Sequence, residues 1–91
     1  MKKRDRLQVI HDILKCINDK SGKIRPTHIL YKSNLSHQMM DEYLQELIEK
    51  RFIEEKSENG NNRTYSITQK GREYLGKYKV ITEFVNSFGL D

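Results

Sequence analysis

Apolar side chains recur every three or four residues over residues 5–20, which predicts a first amphipathic helix. Asp5 has the chemistry of an N-cap, and Gly22 suits the position just past the helix end. A similar period over residues 37–50 predicts another helix, with Ser36 as its N-cap. The predicted inward positions are Leu7, Ile10, Ile13, Leu14 and Ile17 in the former helix and Met40, Tyr43, Leu44, Leu47 and Ile48 in the latter.

A shorter helix fits between these two segments. Pro26 favours a new helix start, so residues 27–33 are predicted to be helical. Residues 23–25 are too few for more than a bend or a minimal strand. Residues 34–36 read Asn-Leu-Ser, and asparagine suits a tight turn. Two helices joined by such a turn predict a helix-turn-helix.

Residues 51–71 contain a predicted β-hairpin. Residues 52–56 and 63–68 are rich in β-branched and aromatic side chains, and the polar residues 58–62 between them have turn chemistry. A two-stranded hairpin is marginally stable alone, so its apolar side must pack on the helices. Helix, helix-turn-helix and hairpin in this order predict an α+β winged helix-turn-helix domain that spans residues 1–68.

A last helix is predicted from Gln69 to Phe88, with Gly89 at its C-terminal end. Its apolar residues are spaced alternately four and three apart, which is the a/d seam of a coiled coil. Leu75 faces the rest of the domain in this interpretation, and Phe84 lies off the seam. Residues 69–91 are therefore predicted to form a dimerisation helix within the same compact unit. The seam consists of Tyr74, Tyr78, Ile81, Val85 and Phe88.

Charge is unevenly distributed along the chain. The formal net charge is +4, from 17 Lys and Arg against 13 Asp and Glu. Residues 1–35 hold nine basic and three acidic residues, residues 36–62 hold three and seven, and residues 63–91 hold five and three. Net charge therefore permits a polyanion partner without requiring one. The acidic middle segment contains the second helix of the helix-turn-helix.

The sequence offers no support for catalytic or metal chemistry. Cys16 is the only cysteine, so no disulfide framework exists and a reducing cytoplasm fits the chain. His11, His28 and His37 fall on three predicted helices without the spacing of a metal site. No nucleophile motif or phosphate-binding glycine loop is present, and no stretch approaches the roughly 20 apolar residues of a membrane span. We expect no enzyme activity, no cofactor and no contact with a membrane.

Two stretches resemble one family in particular. THILYKSNLSHQMMDEYLQELIEKRFIEE and YSITQKGREYL are similar to the small archaeal winged-helix DNA-binding proteins, some of which are regarded as chromatin components. Bacterial-type multidrug-resistance and arsenic-resistance regulators share the architecture as second-ranked relatives. The resemblance implies a homodimer that binds double-stranded DNA in the cytoplasm, associated with the nucleoid, through paired antiparallel C-terminal helices. A last helix of about 20 residues, roughly 30 Å long, is short beside the longest members.

In a winged helix, the second helix of the helix-turn-helix enters the major groove N-terminus first. Gln38 is then the best base reader because its amide can pair with adenine, whereas Ser36 either caps the helix or contacts a phosphate. The acidic residues farther along this helix oppose deep insertion. Arg63 is the expected phosphate contact of the wing, and the alternative for each basic residue is an ordinary solvated side chain. The candidate DNA contacts are Lys32, Ser36, His37, Gln38, Gln45, Lys56, Asn61, Asn62 and Arg63.

Two other interpretations stay open. The acidic helix and the sparsely basic wing also fit a winged helix that contacts a protein. Convergence of Lys32, Lys56, Arg63 and the N-terminal arm of Lys2, Lys3 and Arg4 on the face that holds Gln38 would favour DNA, and scattered basic residues would favour a protein. A repressor gated by a small-molecule effector would instead need an open apolar cavity between the C-terminal helices.

Overall fold

A computed structural model describes residues 5–20, 24–58 and 62–90 of the protein. The elements confirm the predicted architecture of a helix, a helix-turn-helix, a wing and a C-terminal helix. The two strands pair antiparallel, from Ile53 opposite Ile67 to Glu58 opposite Asn62. In chain order the elements are α1 Arg6–Asp19, α2 Pro26–Ser33, α3 His37–Glu49, β1 Ile53–Glu58, β2 Asn62–Ile67 and α4 Gln69–Ser87.

Helix α1 runs through the centre of the core. The Asp5 carboxylate accepts a hydrogen bond from the Gln8 N–H at 2.8 Å, which confirms the predicted N-cap. The prediction that Leu7 is buried was wrong: Leu7 lies on the same line along the helix as the buried Leu14, but it stands in the first turn, at the end of the helix, where it is 55% exposed. The predicted end at Gly22 lies outside the described residues. The buried residues of α1 are Val9, Ile10, Ile13, Leu14, Cys16 and Ile17.

The chain turns between α2 and α3 through a left-handed asparagine. Pro26 occupies the first turn of α2, where its missing N–H costs nothing. Asn34 has φ +53, a conformation that asparagine tolerates better than most residues do. The predicted minimal strand is a single bridge, in which the Tyr65 N–H donates to the Ile24 carbonyl at 3.2 Å. This bridge ties the start of the helix-turn-helix to the hairpin.

Helix α3 leads directly into the hairpin. The Ser36 hydroxyl accepts a hydrogen bond from the Met39 N–H at 3.2 Å, as expected of an N-cap. Arg51 follows the helix with φ +64, and the Phe52 N–H donates to the Leu47 carbonyl at 2.9 Å. This hydrogen bond and the left-handed conformation of Arg51 are those of a Schellman turn. The turn directs β1 back over the core, where Ile53 is 1% exposed.

Helix α4 is fixed to the hairpin at its N-terminus. The Thr68 hydroxyl accepts from the Gly71 N–H at 3.2 Å and donates to the Arg51 carbonyl at 2.7 Å. At the other end, Gly89 has φ +68 and the Leu90 N–H donates to the Val85 carbonyl at 2.9 Å, which is the predicted Schellman end. The cap at Thr68 sets the direction in which α4 leaves the domain.

One contiguous core holds these elements together. Leu47, Ile29 and Ile53 contribute α3, α2 and the hairpin to the same cluster as α1, and Tyr65 is 3% exposed within it. Each fully buried aliphatic side chain stabilises the fold by about 1.5–3 kcal/mol. The outer surface of α3 therefore lies on a rigid support.

Candidate nucleic-acid interface

The N-terminal turn of α3 is exposed. Ser36, His37 and Gln38 are all exposed, and the Ser36 hydroxyl is engaged in capping. The first N–H groups of a helix that lack intrahelical partners favour an anion such as a phosphate. Ser36 therefore acts as a cap, and this end of α3 presents backbone donors to solvent.

Gln38 has an internal partner on the same helix. Its Nε2 donates to Oε1 of Glu42 at 3.4 Å, a long hydrogen bond between exposed groups. The bond is weak enough to break, but it competes with pairing between the Gln38 amide and adenine. Because Nε2 carries two hydrogens, this bond leaves the second N–H and the carbonyl oxygen of the Gln38 amide unengaged by Glu42.

Arg63 of the wing faces α3 and is partly neutralised. Its Nη1 lies 3.7 Å from Oε1 of Glu55, and the two side chains are 57% and 32% exposed. Glu55 is opposite Tyr65 and Ser57 is opposite Arg63, so all four side chains share one face of the hairpin. That face closes one side of a cleft against α3.

This cleft, the α3–hairpin groove, has a volume of about 260 Å³. Burial raises the pKa of the Tyr65 hydroxyl, the carboxylates of Glu55 and Asp41 raise it further, and Arg63 lowers it. Charged groups of both signs thus surround the Tyr65 hydroxyl. The groove is lined by Asp41, Leu44, Gln45, Ile48, Glu55, Arg63 and Tyr65.

The remaining predicted basic contacts do not converge on this groove. Lys56 is opposite Thr64, on the other face of the hairpin from Arg63. Lys32 lines a cavity of about 570 Å³ with α1 residues that include Cys16 and with Lys20, the C-cap of α1. Asn62 is exposed at the start of β2, whereas Asn61 and the arm of Lys2, Lys3 and Arg4 lie outside the described residues. Of the predicted set, the structure brings Gln45 and Arg63 together and leaves Lys32 and Lys56 on other surfaces.

An ion-pair network that the sequence analysis missed fixes one flank of α3. The Glu46 carboxylate bonds to the Arg6 guanidinium and, at 2.8 Å, to Lys50 Nζ. Hydrogen bonds from Lys50 and Arg6 lower the pKa of Glu46. The Arg6 guanidinium also lies 5.8 Å from the centroid of the Tyr43 ring. Glu46 is therefore occupied within the chain, and a pair 40 residues apart carried no local sequence signal.

Tyr74 and Tyr78, two residues of the predicted seam, pack on their own chain. The Tyr74 hydroxyl donates to the Leu7 carbonyl at 2.6 Å, and its ring meets Phe52 edge-on at a centroid distance of 5.8 Å. The Tyr78 ring stacks on His11 at 4.4 Å. Burial raises the pKa of Tyr74 to about 12. These rings attach α4 to α1.

A different set of apolar side chains is exposed on α4. Ile81 and Phe88 of the predicted seam are 60% and 67% exposed, while Val85 is half-buried. Phe84, which the seam omits, is 58% exposed and lies 4.9 Å from Phe88 between ring centroids. Val80 is 64% exposed on the same side of the helix. We call Val80, Ile81, Phe84 and Phe88 the α4 stripe.

Other kinds of site are not apparent in the described parts of the chain. No three His, Cys, Asp or Glu side chains in residues 5–20, 24–58 and 62–90 are grouped so that they could hold a metal ion. Burial raises the pKa of the Cys16 thiol, which disfavours the reactive thiolate. No helix within these ranges is long and apolar enough to span a bilayer.

Several solved structures share the fold. Sso10a-2, a DNA-binding protein from Sulfolobus solfataricus, superposes with a TM-score of 0.79 at 22% identity, covering 93% of this chain and 85% of that one. A MarR-family transcriptional regulator from Rhodococcus sp. RHA1 gives 0.77 at 12% identity, over 91% of this chain and 59% of that one. MepR, a transcription regulator of the Staphylococcus aureus multidrug efflux pump MepA, gives 0.74 at 12% identity, over 88% and 60%.

The chain thus spans most of the archaeal protein but about three fifths of either bacterial regulator. At these identities the likeness concerns the fold. No curated protein sequence matches the chain. The family model for winged helix-turn-helix proteins matches residues 3–86, which is nearly the whole chain. The protein therefore belongs to the winged helix-turn-helix family.

Proposed function

We propose that the protein is a homodimeric double-stranded DNA-binding protein of the cytoplasm, acting as a transcriptional regulator or as a nucleoid-organising protein. The proposal is carried by the exposed N-terminal turn of α3, which is followed on the same helix by the groove that Arg63 of the wing lines. The turn enters the major groove, where Gln38 and His37 meet base edges and the backbone N–H groups meet a phosphate. The wing contacts the DNA backbone through Arg63. The proposed activity is DNA binding without catalysis.

The α4 stripe is the proposed dimer interface. Four large apolar side chains exposed on one side of a helix require a partner surface in water, and a second copy supplies an identical one. Antiparallel pairing of the C-terminal helices, implied by the family resemblance, places the two α3 helices at opposite ends of the dimer. Relative to the sequence prediction, this interface keeps Ile81 and Phe88 and adds Val80 and Phe84. It leaves out the half-buried Val85 and the two tyrosines, Tyr74 and Tyr78, which pack on α1.

The test for DNA binding is fluorescence anisotropy of a labelled duplex with three proteins: wild type, Arg63→Ala and Lys79→Ala. Both variants remove one positive charge, but Lys79 lies beside α1 on α4, away from α3. We expect Arg63→Ala to weaken binding clearly more than Lys79→Ala does. Equal effects of the two substitutions would remove the wing from the interface.

A second function is supported by one specific observation, the separation of Lys32, Lys56 and Arg63 on different surfaces. Such scattering, with an acidic exposed face on α3, favours a winged helix that binds a basic protein surface. The absence of duplex binding at both low and high salt would support this alternative. Strongly salt-dependent duplex binding would exclude it as the main role.

A further inference from the structure

Asp41 is a carboxylate on the side of α3 that faces the wing, within the proposed DNA interface. A carboxylate near phosphates is repelled, so its presence there needs a compensating cation. Of the other acidic residues of α3, Glu46 is bound by Arg6 and Lys50, and Glu42 accepts a hydrogen bond from Gln38. Asp41 instead lines the α3–hairpin groove together with Arg63.

The groove places an acceptor and a cation at one edge of the proposed interface. Asp41 is exposed, one turn after the start of α3, and Gln45 follows it by one further turn on the same side. Arg63 projects from the wing on the opposite wall. With Arg63 bound to a phosphate, its guanidinium offsets the repulsion between that phosphate and Asp41. Asp41 can then approach the base edges of the major groove.

An ionised carboxylate only accepts hydrogen bonds, and this restricts the bases it can read. Cytosine presents an N4 amino group to the major groove, whereas adenine presents its N6 amino group beside the N7 acceptor, and guanine and thymine present only acceptors. The N7 atom repels a carboxylate placed to accept from adenine. We propose that Asp41 is a specificity-determining residue that selects cytosine through its N4 amino group, with Arg63 as the compensating cation. This rests on the duplex-DNA binding proposed above.

A substitution at Asp41 tests the proposal with a change of preference. Asparagine has nearly the same shape but both donates and accepts, which suits the N6 and N7 atoms of adenine. Selection from a randomised duplex library with the wild type should reveal one position per half-site where cytosine is preferred about tenfold or more. Selection with Asp41→Asn should replace cytosine by adenine at that position and leave the other positions unchanged.

Glu49→Gln is the matched control. It also removes one negative charge from the exposed side of α3, but Glu49 does not line the groove. Both variants should bind DNA more tightly overall, and only Asp41→Asn should change the preferred base. Thermal melting of each variant shows that it is folded.

Three results would overturn the inference while leaving duplex binding intact. These are a wild type without any cytosine preference, a cytosine preference that Asp41→Asn retains, and a preference that Glu49→Gln loses equally. Failure of the wild type to bind any duplex at low salt would overturn the proposed function itself, and the inference with it.

Discussion

Gly71 lies against the backbone of Phe52 so closely that a Cβ atom built on Gly71 would come within 2.5 Å of the Phe52 carbonyl oxygen. The same Cβ would lie 2.6 Å from Cγ1 of Ile67. Only a residue without a side chain permits this approach, which sets α4 against the hairpin. The contact determines where the α4 stripe points relative to α3.

A pair of glycine substitutions measures this contact. Gly71→Ala should lower the free energy of unfolding by about 1–3 kcal/mol, because a backbone oxygen must move. Gly76→Ala should raise it by about 0.5–1 kcal/mol, since Gly76 has nothing within 4 Å of an added Cβ and sits inside a helix. Denaturant unfolding at one protein concentration compares them. A neutral Gly71→Ala variant would show that α4 does not dock as described.

Arg51 carries strain at the end of α3. Its φ of +64 lies in the left-handed region, which disfavours any residue with a Cβ atom. Arg51→Gly should stabilise the protein by up to about 1 kcal/mol, whereas Arg51→Ala should give no gain because alanine keeps the Cβ. Urea unfolding of both variants checks the difference. Equal stabilities would place the effect in the arginine side chain instead of the backbone.

Glu55 forms an ion pair with Arg63 on the wing, and removing this pair should strengthen DNA binding by Arg63. Glu55→Gln removes the ion pair, and an exposed pair is worth about 0.2–1 kcal/mol, so the dissociation constant should fall up to about fivefold. Glu54→Gln is the control, because Glu54 lies on the opposite face of the hairpin and changes the net charge equally. Anisotropy titration that finds the same gain for both would assign it to net charge alone.

The α4 stripe predicts the effect of one added charge on dimerisation. Phe84→Glu places a carboxylate at the centre of the proposed interface, and sedimentation should then show monomers. Lys79→Glu introduces the same residue on the other side of α4, next to α1, and should leave the dimer intact. A dimeric Phe84→Glu protein would exclude the stripe as the interface.

The hydrogen bond from the Tyr74 hydroxyl to the Leu7 carbonyl of α1 predicts a loss of stability at high pH. Burial raises the pKa of Tyr74 to about 12, above its ordinary value of 10.0, so the folded state binds the proton more tightly. This stabilisation is fully present below pH 10.0 and is lost as the pH rises toward about 12. Alkaline unfolding of the wild type and Tyr74→Phe should show a steeper decline for the wild type. Parallel declines would contradict the raised pKa.

The sequence pattern predicted the elements well where local chemistry decides them. Asp5, Ser36 and Gly89 were identified as helix ends because capping depends on residues a few positions apart. The pairing register of the hairpin was harder to predict, because a shift of one residue moves every side chain to the opposite face of the strand. That register puts Arg63 toward α3 and Lys56 away from it.

Long-range choices were not visible in the sequence. A period of four and three includes Tyr74 and Tyr78 equally well whether they face a partner or α1, and the structure packs them on Leu7 and His11. Phe84 was left out because a strict a/d seam is narrower than the apolar side of this helix. The partnership of Arg6 with Glu46 likewise depends on packing between α1 and α3.

The salt dependence of duplex binding by the wild-type protein tests the central claim most directly. Each phosphate neutralised by a basic side chain contributes about −0.9 to the slope of the logarithm of the association constant against the logarithm of salt concentration. A dimer that applies Arg63 and the N-terminal turn of α3 on both halves should give a slope of about −2 or steeper. No binding at low salt, or binding without a salt slope, would contradict the account.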